Sequence, residues 1–399
     1  MKLLALTNLY PPQELGGYGR SIADFVWGLL KRGHSVKVLS SDAPHLGEGS
    51  PCGPSGEAVH RALLLKGSYE GGVHPLQDRK ACYAIEQHNA NAIQTIWKHQ
   101  GPFNGVLLGN IDLLGVEILE PLLTLGVPVL HHIGFINPPF HPKHSPRSKD
   151  YLVVAASGAV AQALSNAGFH TSPGKSLPVV YPGVRCELFG PGVTGRSLPV
   201  PLNGEQKHRP LGSQRYPLKV CFAGLMMGSK GAHTLVEALV TMSKRGLHVE
   251  GHLAGGDFQA GYREQLEDLL WKQGLDSVRF TGQLKRRSLS RFYGLHHVCV
   301  FPSIHPEAFG IVGAEAMASG LALISSGVGG ASELFVDQIS GLRFQAGNPA
   351  DLADRLEQLC RDPQKLIKLA RAGEQRAREE LSVAESARRL EALFMQAST

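Results

Sequence analysis

Short apolar runs alternate with amphipathic segments along most of the sequence, and this alternation constrains the fold more than any other feature. Apolar runs without regular polar positions are typical of parallel strands that helices cover on both faces. The predicted strands are residues 2–8, 35–42, 104–110, 127–134, 151–157 and 177–183, followed by residues 218–224, 248–256, 277–282, 296–303 and 321–326. The sequence therefore predicts an α/β protein with two doubly wound, Rossmann-like parallel sheets.

The two series of strands are separated by residues 190–217, which contain five prolines and little apolar periodicity, as is typical of a linker. We expect a first domain over residues 1–189, a second over 218–378, and a helix over 379–399 that packs back towards the first domain. Residues 43–81, rich in glycine and proline, are expected to form an irregular insertion or a mobile loop. Two such domains are expected to form a cleft, with ligands bound outside the carboxyl ends of the strands.

Composition indicates a globular protein, since 43% of the 399 residues are hydrophobic and 19% are charged. No apolar stretch approaches the roughly 18 residues of a membrane span, and the first residues, MKLLALTNLYPP, are too soon interrupted for a signal peptide. The six cysteines lack the close spacing of a zinc site and fit reduced thiols in a cytoplasm. A net charge of +6 is modest, and the basic run at residues 285–291 is interpreted as a solvated helix start.

The segment TNLYPPQELGGYGRS, residues 7–21, follows the first predicted strand. Gly16 and Gly17 allow backbone N–H groups to approach a phosphate in front of the next helix. A nicotinamide dinucleotide site, and with it an oxidoreductase, would need a third glycine where Ile22 stands. The segment therefore favours a loop that approaches a phosphate or substrate, with a purely structural turn as the alternative.

Two further segments end predicted strands with chemically useful side chains. In FAGLMMGSKG, residues 222–231, glycines including Gly224 surround Lys230, whose ammonium group suits anionic oxygens, although an isolated surface lysine is the alternative. In VLHHIGF, adjacent His131 and His132 face opposite sides of a strand, so one is expected at the site and the other in the helical layer. Which of the two faces the site stays open.

The segment HPEAFGIVGAEAMASG, residues 305–320, places two carboxylates around a predicted helix start. The backbone N–H groups of that first turn, at Phe309, Gly310, Ile311 and Val312, suit a diphosphate. Glu315 is expected inside the helix, where its carboxylate would accept hydrogen bonds from a ribose diol. The alternative is that Glu307 only starts the helix and that Glu315 is an ion-paired core residue. The glycine pair in SGVGGASELF, residues 326–335, either lines the same pocket or forms a plain turn.

Together these segments resemble motifs of the retaining nucleotide-sugar glycosyltransferases of family four, which have the GT-B fold. FAGLMMGSKG resembles the family's FVGRL-xxx-KG loop, and VRFTGQL, residues 278–284, resembles its V-x-F-x-G element. VFPSIHPEAFGIVGAEAMASG resembles the two-glutamate signature, and SSGVGGASELFVDQISGLRF resembles the GG-xx-E segment. The resemblance is densest over residues 218–375 and looser in YPPQELGGYGR and VVYPGVRCELF of the first domain.

The resemblance implies a role for each matching residue. Glu307 contacts the transferred sugar and, with His132, makes up the catalytic pair, whereas Glu315 holds the ribose. The residues implied in binding the donor's diphosphate and sugar are Gly16, Gly17, Gly224, Lys230, Phe309, Gly310, Ile311 and Val312. The nucleobase is implied to lie beside Gly282, Gln283 and Leu284.

The activity implied is transfer of a sugar from a nucleoside diphosphate donor to an acceptor hydroxyl, with retention and without a metal or other cofactor. The acceptor is expected to be a carbohydrate, a lipid-linked compound or a small molecule in polysaccharide, glycolipid or glycoconjugate synthesis. No nucleic-acid partner is expected, and the expected location is the cytoplasm, with peripheral contact at the inner face of a membrane left open. The alternative is a non-catalytic nucleotide- or glycan-binding protein on the same scaffold.

Three positions depart from the family pattern. Leu225 stands where the family has an arginine that binds the diphosphate, and Ala308 stands where proline is usual. The family's histidine in the first domain aligns with His132 across a two-residue gap, or with Gly134 without a gap. Leu225 is the feature that favours the non-catalytic alternative.

Overall fold

The computed structural model describes residues 1–15, 17, 19–169, 176–190 and 211–397. The chain forms two compact units. The first comprises Met1–Gly183 together with Val383–Thr399, and the second comprises Val184–Ser382. Each unit contains one six-stranded sheet in which every described strand pairing is parallel, so the prediction of two parallel sheets is confirmed.

The strands of the first unit are β1 (Lys2–Thr7), β2 (Ser35–Ser41), β3 (Val59–Leu63), β4 (Gly67–Ser68), β5 (His74–Pro75), β6 (Gly105–Leu108), β7 (Val129–Ile133) and β8 (Tyr151–Ala155). Its first four helices are α1 (Arg20–Lys31), α2 (Arg79–Gln100), α3 (Leu119–Leu123) and α4 (Gly158–Ala167). The sheet order is β3-β2-β1-β6-β7-β8, and β4 and β5 form a separate antiparallel hairpin. Leu3 to Leu6 in central β1 are fully buried, as expected for a strand covered on both faces.

The strands of the second unit are β9 (Leu218–Ala223), β10 (Val249–Ala254), β11 (Val278–Gly282), β12 (Val298–Phe301), β13 (Ala322–Ser325) and β14 (Leu342–Arg343). Its helices are α5 (Cys186–Phe189), α6 (Ala232–Lys244), α7 (Tyr262–Lys272), α8 (Arg286–Tyr293), α9 (Ile311–Ala318), α10 (Pro349–Arg361) and α11 (Pro363–Glu379). The sheet order is β11-β10-β9-β12-β13-β14. Its core joins apolar residues of β9, β10 and β12 to those of α6, α10 and α11.

In both sheets the order in which the chain adds strands reverses beside the first strand, although all strands run parallel. In the first unit β1 lies between β2 and β6, and in the second β9 lies between β10 and β12. In open parallel sheets the crevice at such a reversal, outside the carboxyl ends of the strands, is the usual place for a ligand. The loops after β1 and β6, and those after β9 and β12, are therefore the positions that the fold favours for chemistry.

Two predictions of local structure were wrong. Residues 177–183 form no strand, because Val179 makes only an isolated parallel bridge to Ala155 and Pro178 and Pro182 lack the N–H groups that would extend a ladder. Residues 43–81 are not simply irregular, since they contain β3 at one edge of the sheet, the β4–β5 hairpin and the start of α2. The β3 segment was missed because its polar residues interrupt the apolar run.

The boundaries of the two units differ from the domain boundaries that were predicted from the sequence. The first unit ends at Gly183, whereas the predicted first domain ended at residue 189. The last helix, α12 (Val383–Ala397), packs against α1 within the first unit. Of the predicted linker, residues 191–210 lie outside the described part of the chain, and Leu211, whose N–H donates to Cys360, is buried in the second unit. No described helix has the length and apolar character needed to cross a membrane.

Candidate functional site

The loop after β9 brings Lys230 close to the loop that follows β12. A 3₁₀ turn at Gly228–Lys230 leads into Gly231, which has φ +71° and precedes α6. A Cβ atom on Gly231 would lie 2.0 Å from the carbonyl oxygen of Pro302. Only glycine fits this close approach, which places Lys230 beside the segment that carries Glu307.

Lys230 and Glu307 form an ion pair at the carboxyl ends of β9 and β12. The Nζ atom of Lys230 donates to Oε1 of Glu307 at 2.7 Å, and the hydroxyl of Ser303 donates to the same oxygen. Their side chains are 30% and 15% exposed, respectively, so the pair is partly shielded but reachable from solvent. The contact of Ser303 with Glu307 was not predicted from the sequence. In the sequence Ser303 is recognisable only as a hydroxyl residue at the end of the predicted strand, four residues before Glu307.

The backbone of Glu307 is fixed by the loop after β13. Its N–H donates to Val328 at 3.2 Å, and its carbonyl accepts from the N–H of Gly330 at 2.7 Å. Gly329 has φ +62°, and a Cβ atom there would lie 2.5 Å from the Glu307 carbonyl oxygen. The glycine pair therefore holds the catalytic candidate in place, a contact that was not predicted from the sequence.

Helix α9 begins immediately after this segment, at Ile311. Its N-cap is Gly310, with φ +103°, and no side chain caps its first turn. Phe309 is buried, whereas Gly310, Ile311 and Val312 are partly exposed. The first N–H groups of a helix lack intrahelical acceptors and carry the positive end of the helix dipole, so this turn is suited to an anion. Glu307 precedes the helix and is not part of it.

Glu315 lies on α9 and is fully buried. Its Oε1 atom is 3.6 Å from Nε of Arg286, the first residue of α8, whose guanidinium also lies 5.6 Å from the centre of the Phe189 ring. Glu315 thus has the cationic neighbour expected of an ion-paired core residue. The contact of Arg286 with Glu315 was not predicted, because the basic run at residues 285–291 was interpreted only as a solvated helix start.

The residues predicted to flank a nucleobase end β11 in the same sheet. Gly282 has φ +70°, and its carbonyl accepts from the N–H of Gly255 at 2.9 Å. Gln283 is exposed, and its side chain lies against Gly256, which follows β10. Leu284 is half-buried. These residues and Gly224, which follows β9, lie at the carboxyl edge of the second sheet, as do Lys230 and Glu307.

The two candidate histidines of the first unit are buried. The Nε2 atom of His132 is 2.8 Å from the Val180 carbonyl oxygen, and its ring meets that of Phe25 edge-on. His131 pairs with the hydroxyl of Tyr151 at 2.6 Å. Desolvation lowers the pKa of His131 to about 3 and that of His132 to about 4, so both imidazoles are neutral near pH 7. These contacts support a structural role, and the catalytic role of His132 stays a prediction.

The predicted phosphate-approach loop of the first unit is described only in part. Gly16 lies outside the described residues, and Gly17 is exposed. Gly19, with φ +69°, precedes α1, and a Cβ atom on it would lie 2.3 Å from the carbonyl oxygen of Leu9. The base of the loop is therefore closed by a backbone contact that requires glycine.

Comparison with known sequences finds its family match within the second unit. Residues 203–379 match the family described as Glycosyl transferases group 1. The D-inositol 3-phosphate glycosyltransferase of Thermobifida fusca (strain YX) is 28% identical over 244 residues, which are 58% of this chain and 54% of that protein. The chain thus spans about half the length of this curated relative.

Comparison with solved structures covers both units. A glycosyltransferase from Rickettsia africae ESF-5 superposes with a TM-score of 0.75 at 18% identity, over 99% of this chain and 98% of that chain. Anabaena Alr3699/HepE, solved in complex with UDP and glucose, superposes with a TM-score of 0.70 at 18% identity, over 99% and 100% of the two chains. These similarities establish the GT-B fold, and residues 203–379 carry the match to the group 1 glycosyltransferases.

Proposed function

We propose that this protein is a retaining, metal-independent glycosyltransferase that moves a sugar from a nucleoside diphosphate to an acceptor hydroxyl. The observation that carries the proposal is the Lys230–Glu307 ion pair, located just before the first turn of α9. The pair lies within the segment that matches the group 1 glycosyltransferases. A cation, a carboxylate and a set of backbone donors are what a charged diphosphate and an adjoining sugar require.

The first chemical demand is to stabilise negative charge on the leaving diphosphate. The N–H groups of the first turn of α9 supply fixed donors, and Lys230 supplies a full positive charge. Lys230 is held beside this turn by Glu307 and reaches the diphosphate by a small movement of its flexible side chain. Because the helix donors are fixed and Lys230 moves only a short way when the donor binds, little reorganisation accompanies the negative charge as it develops in the reaction.

The second demand is to orient the sugar and to balance the positive charge that develops at its ring. Glu307, with its backbone fixed by Val328 and Gly330, accepts hydrogen bonds from sugar hydroxyls. The bond between the anomeric carbon and the diphosphate oxygen breaks, and the acceptor oxygen bonds to the same face of that carbon. The acceptor's proton passes to the leaving diphosphate oxygen, so no covalent intermediate on Glu307 is needed.

The nucleoside is assigned to the remaining part of the same sheet edge. Glu315 accepts hydrogen bonds from the ribose hydroxyls, and Gly282, Gln283 and Leu284 flank the base. Anabaena HepE binds UDP, which makes uridine the first base to test here. For the acceptor we propose a carbohydrate, a lipid-linked compound or a small molecule such as the inositol phosphate named for the Thermobifida relative. The proposed location is the cytoplasm, with contact at the inner membrane face where the acceptor is lipid-linked.

A second candidate is a non-catalytic nucleotide- or glycan-binding protein on the same fold. Leu225 supports it, because this half-buried aliphatic side chain follows Gly224 where the family resemblance implies a diphosphate-binding arginine. Without that cation the leaving group is stabilised less, whereas nucleotide binding can persist through Lys230 and α9. Lys230 and Glu307 favour the enzyme, and Leu225 favours the binding protein.

The purified protein separates the two candidates directly. Thermal shift is measured with UDP-, GDP- and ADP-sugars, and transfer or hydrolysis of the stabilising donor is then followed with a panel of acceptors. The enzyme predicts turnover that persists in EDTA and a product with the donor's anomeric configuration, determined by NMR. Stabilisation without turnover on any acceptor favours the binding protein. An inverted product contradicts retention, and complete inactivation by EDTA contradicts metal independence.

A further inference from the structure

Arg61 on β3 lies at the centre of a hydrogen-bond network beneath the loop that follows β1. Its Nη2 atom donates to the carbonyls of Tyr10 at 3.0 Å and Pro11 at 2.7 Å. Its Nη1 atom donates to Gln13 Oε1 at 2.9 Å and to the Ser41 carbonyl at 3.3 Å. Its Nε atom donates to a fifth acceptor, the carbonyl at residue 50, at 3.0 Å. One guanidinium therefore joins the loop after β1 to the segment after β2.

Gln13 reinforces this connection from within the loop. The residue is fully buried, and its Nε2 atom donates to Asp42 at 2.7 Å and to the Gly47 carbonyl at 3.0 Å. Its Oε1 atom, which accepts from Arg61, also accepts from the N–H of Ala43 at 3.1 Å. The amide of Gln13 is thus held by Arg61 on one side and by residues 42–47 on the other.

Tyr10 supplies a third attachment. Its side chain is fully buried, and its hydroxyl donates to Oε1 of Glu57. The other oxygen of Glu57 accepts from the N–H of Ser55 at 2.9 Å. Glu57 therefore holds the side chain of Tyr10 while Arg61 holds its carbonyl. Residues 42–61, of which residues 43–61 were expected to be irregular or mobile, form a brace for the loop after β1.

The chemistry of the brace requires arginine at position 61. A guanidinium is a planar fork that donates to several acceptors in fixed directions, whereas a lysine ammonium is a single point donor. Burial of Arg61 lowers its pKa, and the charge of Asp42 acts in the opposite direction. Removing the guanidinium would leave the carbonyls of Tyr10 and Pro11 without this donor. The resulting loss of unfolding free energy would be larger than that from removing one exposed contact.

We propose that Arg61 is a positioning residue for glycosyl transfer. By fixing the Tyr10–Gln13 turn, it holds the start of the loop that leads to Gly17, while the contact between Gly19 and Leu9 closes this loop in front of α1. The inference rests on the proposed function and on the contact with the donor that the family resemblance implies for Gly17, which this loop carries. Arg61 itself touches no substrate and acts only through the loop.

The test compares Arg61→Ala and Arg61→Lys with Arg79→Ala, which removes an exposed arginine from α2 of the same unit. Hydrogen exchange of residues 8–20 and steady-state transfer kinetics are measured for each variant. Arg61→Ala is expected to increase exchange in residues 8–20 and to lower kcat about 10- to 100-fold. Its dissociation constant for the nucleoside diphosphate alone is expected to change much less than kcat, because Lys230, the first turn of α9 and Glu315 hold the nucleotide in the proposed function. Arg61→Lys is expected to fall between Arg61→Ala and the wild type, and Arg79→Ala is expected to match the wild type.

Added guanidinium ion provides a readout that a merely structural role would not give. It is expected to restore part of the kcat of Arg61→Ala and to leave Arg61→Lys and the wild type unchanged. A general rise of exchange across the first unit, or a wild-type kcat in Arg61→Ala, would overturn the proposal. If the wild type itself shows no transfer, the proposed function fails, and the exchange of residues 8–20 still shows whether Arg61 fixes the loop. If Arg61→Ala does not fold, Arg61→Lys carries the same comparison.

Discussion

At the scale of a single residue, the proposed function depends most on Glu307. One carboxylate oxygen accepts from both Lys230 and Ser303, and the backbone is fixed by hydrogen bonds to Val328 and Gly330. The two-glutamate segment was recognisable in the sequence because its residues are contiguous. The hydrogen bonds of Ser303 and Gly330 to Glu307 were not predicted, because they depend on how three strands end at one edge of the sheet.

Replacing Glu307 by glutamine tests its proposed role without changing its size. Glu307→Gln is expected to lower kcat by about 100-fold or more, because the neutral amide cannot balance positive charge at the sugar ring. The thermal midpoint is expected to stay within about 2 °C, since the site is partly exposed. Steady-state transfer kinetics and differential scanning fluorimetry measure the two effects. Glu267→Gln, at an exposed position on α7, is the control, and near-normal turnover of Glu307→Gln would refute the assignment.

Glu315 is predicted to act on binding more than on turnover. Glu315→Gln keeps a hydrogen-bond acceptor but removes the negative charge beside Arg286, so bonds to a ribose diol weaken. The KM for the donor is expected to rise about tenfold, with a smaller change in kcat. Isothermal titration with the nucleoside diphosphate alone should show the same loss of affinity. Glu264→Gln, exposed on α7, is the matched control; unchanged affinity in Glu315→Gln would remove the ribose contact from the mechanism.

At the scale of elements, the site depends on how closely two loops approach each other. Gly231, before α6, and Gly246, after α6, share a positive φ, of 71° and 75°. They differ in surroundings, because a Cβ atom on Gly231 would meet the Pro302 carbonyl whereas one on Gly246 would meet nothing within 4 Å. The sequence shows only that both are glycines. Their different constraints come from the packing of the loop after β12 against the loop after β9.

Replacing Gly231 or Gly246 by alanine tests the close approach of the two loops, with Gly246 as the control. Gly246→Ala is expected to cost about 1–2 kcal/mol of unfolding free energy, the cost of the backbone conformation alone. Gly231→Ala is expected to cost about 1–3 kcal/mol more, because backbone must move to relieve the overlap. Since that movement displaces Lys230, Gly231→Ala is also expected to weaken nucleotide binding, and Gly246→Ala is not. Urea denaturation and nucleotide titration measure both effects, and equal costs for the two variants would contradict the close approach.

At the scale of the whole molecule, α12 joins the end of the chain to its first unit. Leu390 and Phe394 are fully buried in the core of that unit, and Phe394 packs on Gly105 of β6. Phe394→Ala is expected to destabilise the first unit by about 3–5 kcal/mol. Hydrogen exchange should rise in the first unit and stay unchanged in the second. Met395→Ala, exposed on the same helix, is the control, and equal exchange in both units would contradict this arrangement.

Both units carry a buried pair of adjacent histidines, and we expect these pairs to contribute to the acid limit of the fold, the pH below which it loses stability. Burial lowers the pKa to about 3 for His131 and His296 and to about 4 for His132 and His297. Below about pH 6.5 the unfolded chain therefore binds protons that the folded chain does not, so the unfolding free energy falls as pH decreases towards 4. Each histidine contributes a slope of up to about 1.4 kcal/mol per pH unit in this window.

His297→Asn isolates one of these contributions. The asparagine oxygen can accept from the N–H of Lys219 as His297 Nδ1 does, and it does not titrate. Urea denaturation between pH 6 and pH 5 is expected to show a shallower pH dependence in the variant, by about 1 kcal/mol per pH unit. Parallel dependences in variant and wild type would show that His297 does not contribute to the acid limit.

The sequence by itself determined the two sheets and most of the motif residues at the second sheet's edge, because strand periodicity and contiguous motifs are local. Only the tertiary structure decided which of those residues meet. Lys230 and Glu307 are 77 positions apart, and their contact follows from β9 and β12 being neighbours in the sheet. The pairing of Arg286 with Glu315 and the brace of Arg61 arise in the same way. Such contacts depend on strand order and packing, which no local pattern of residues encodes.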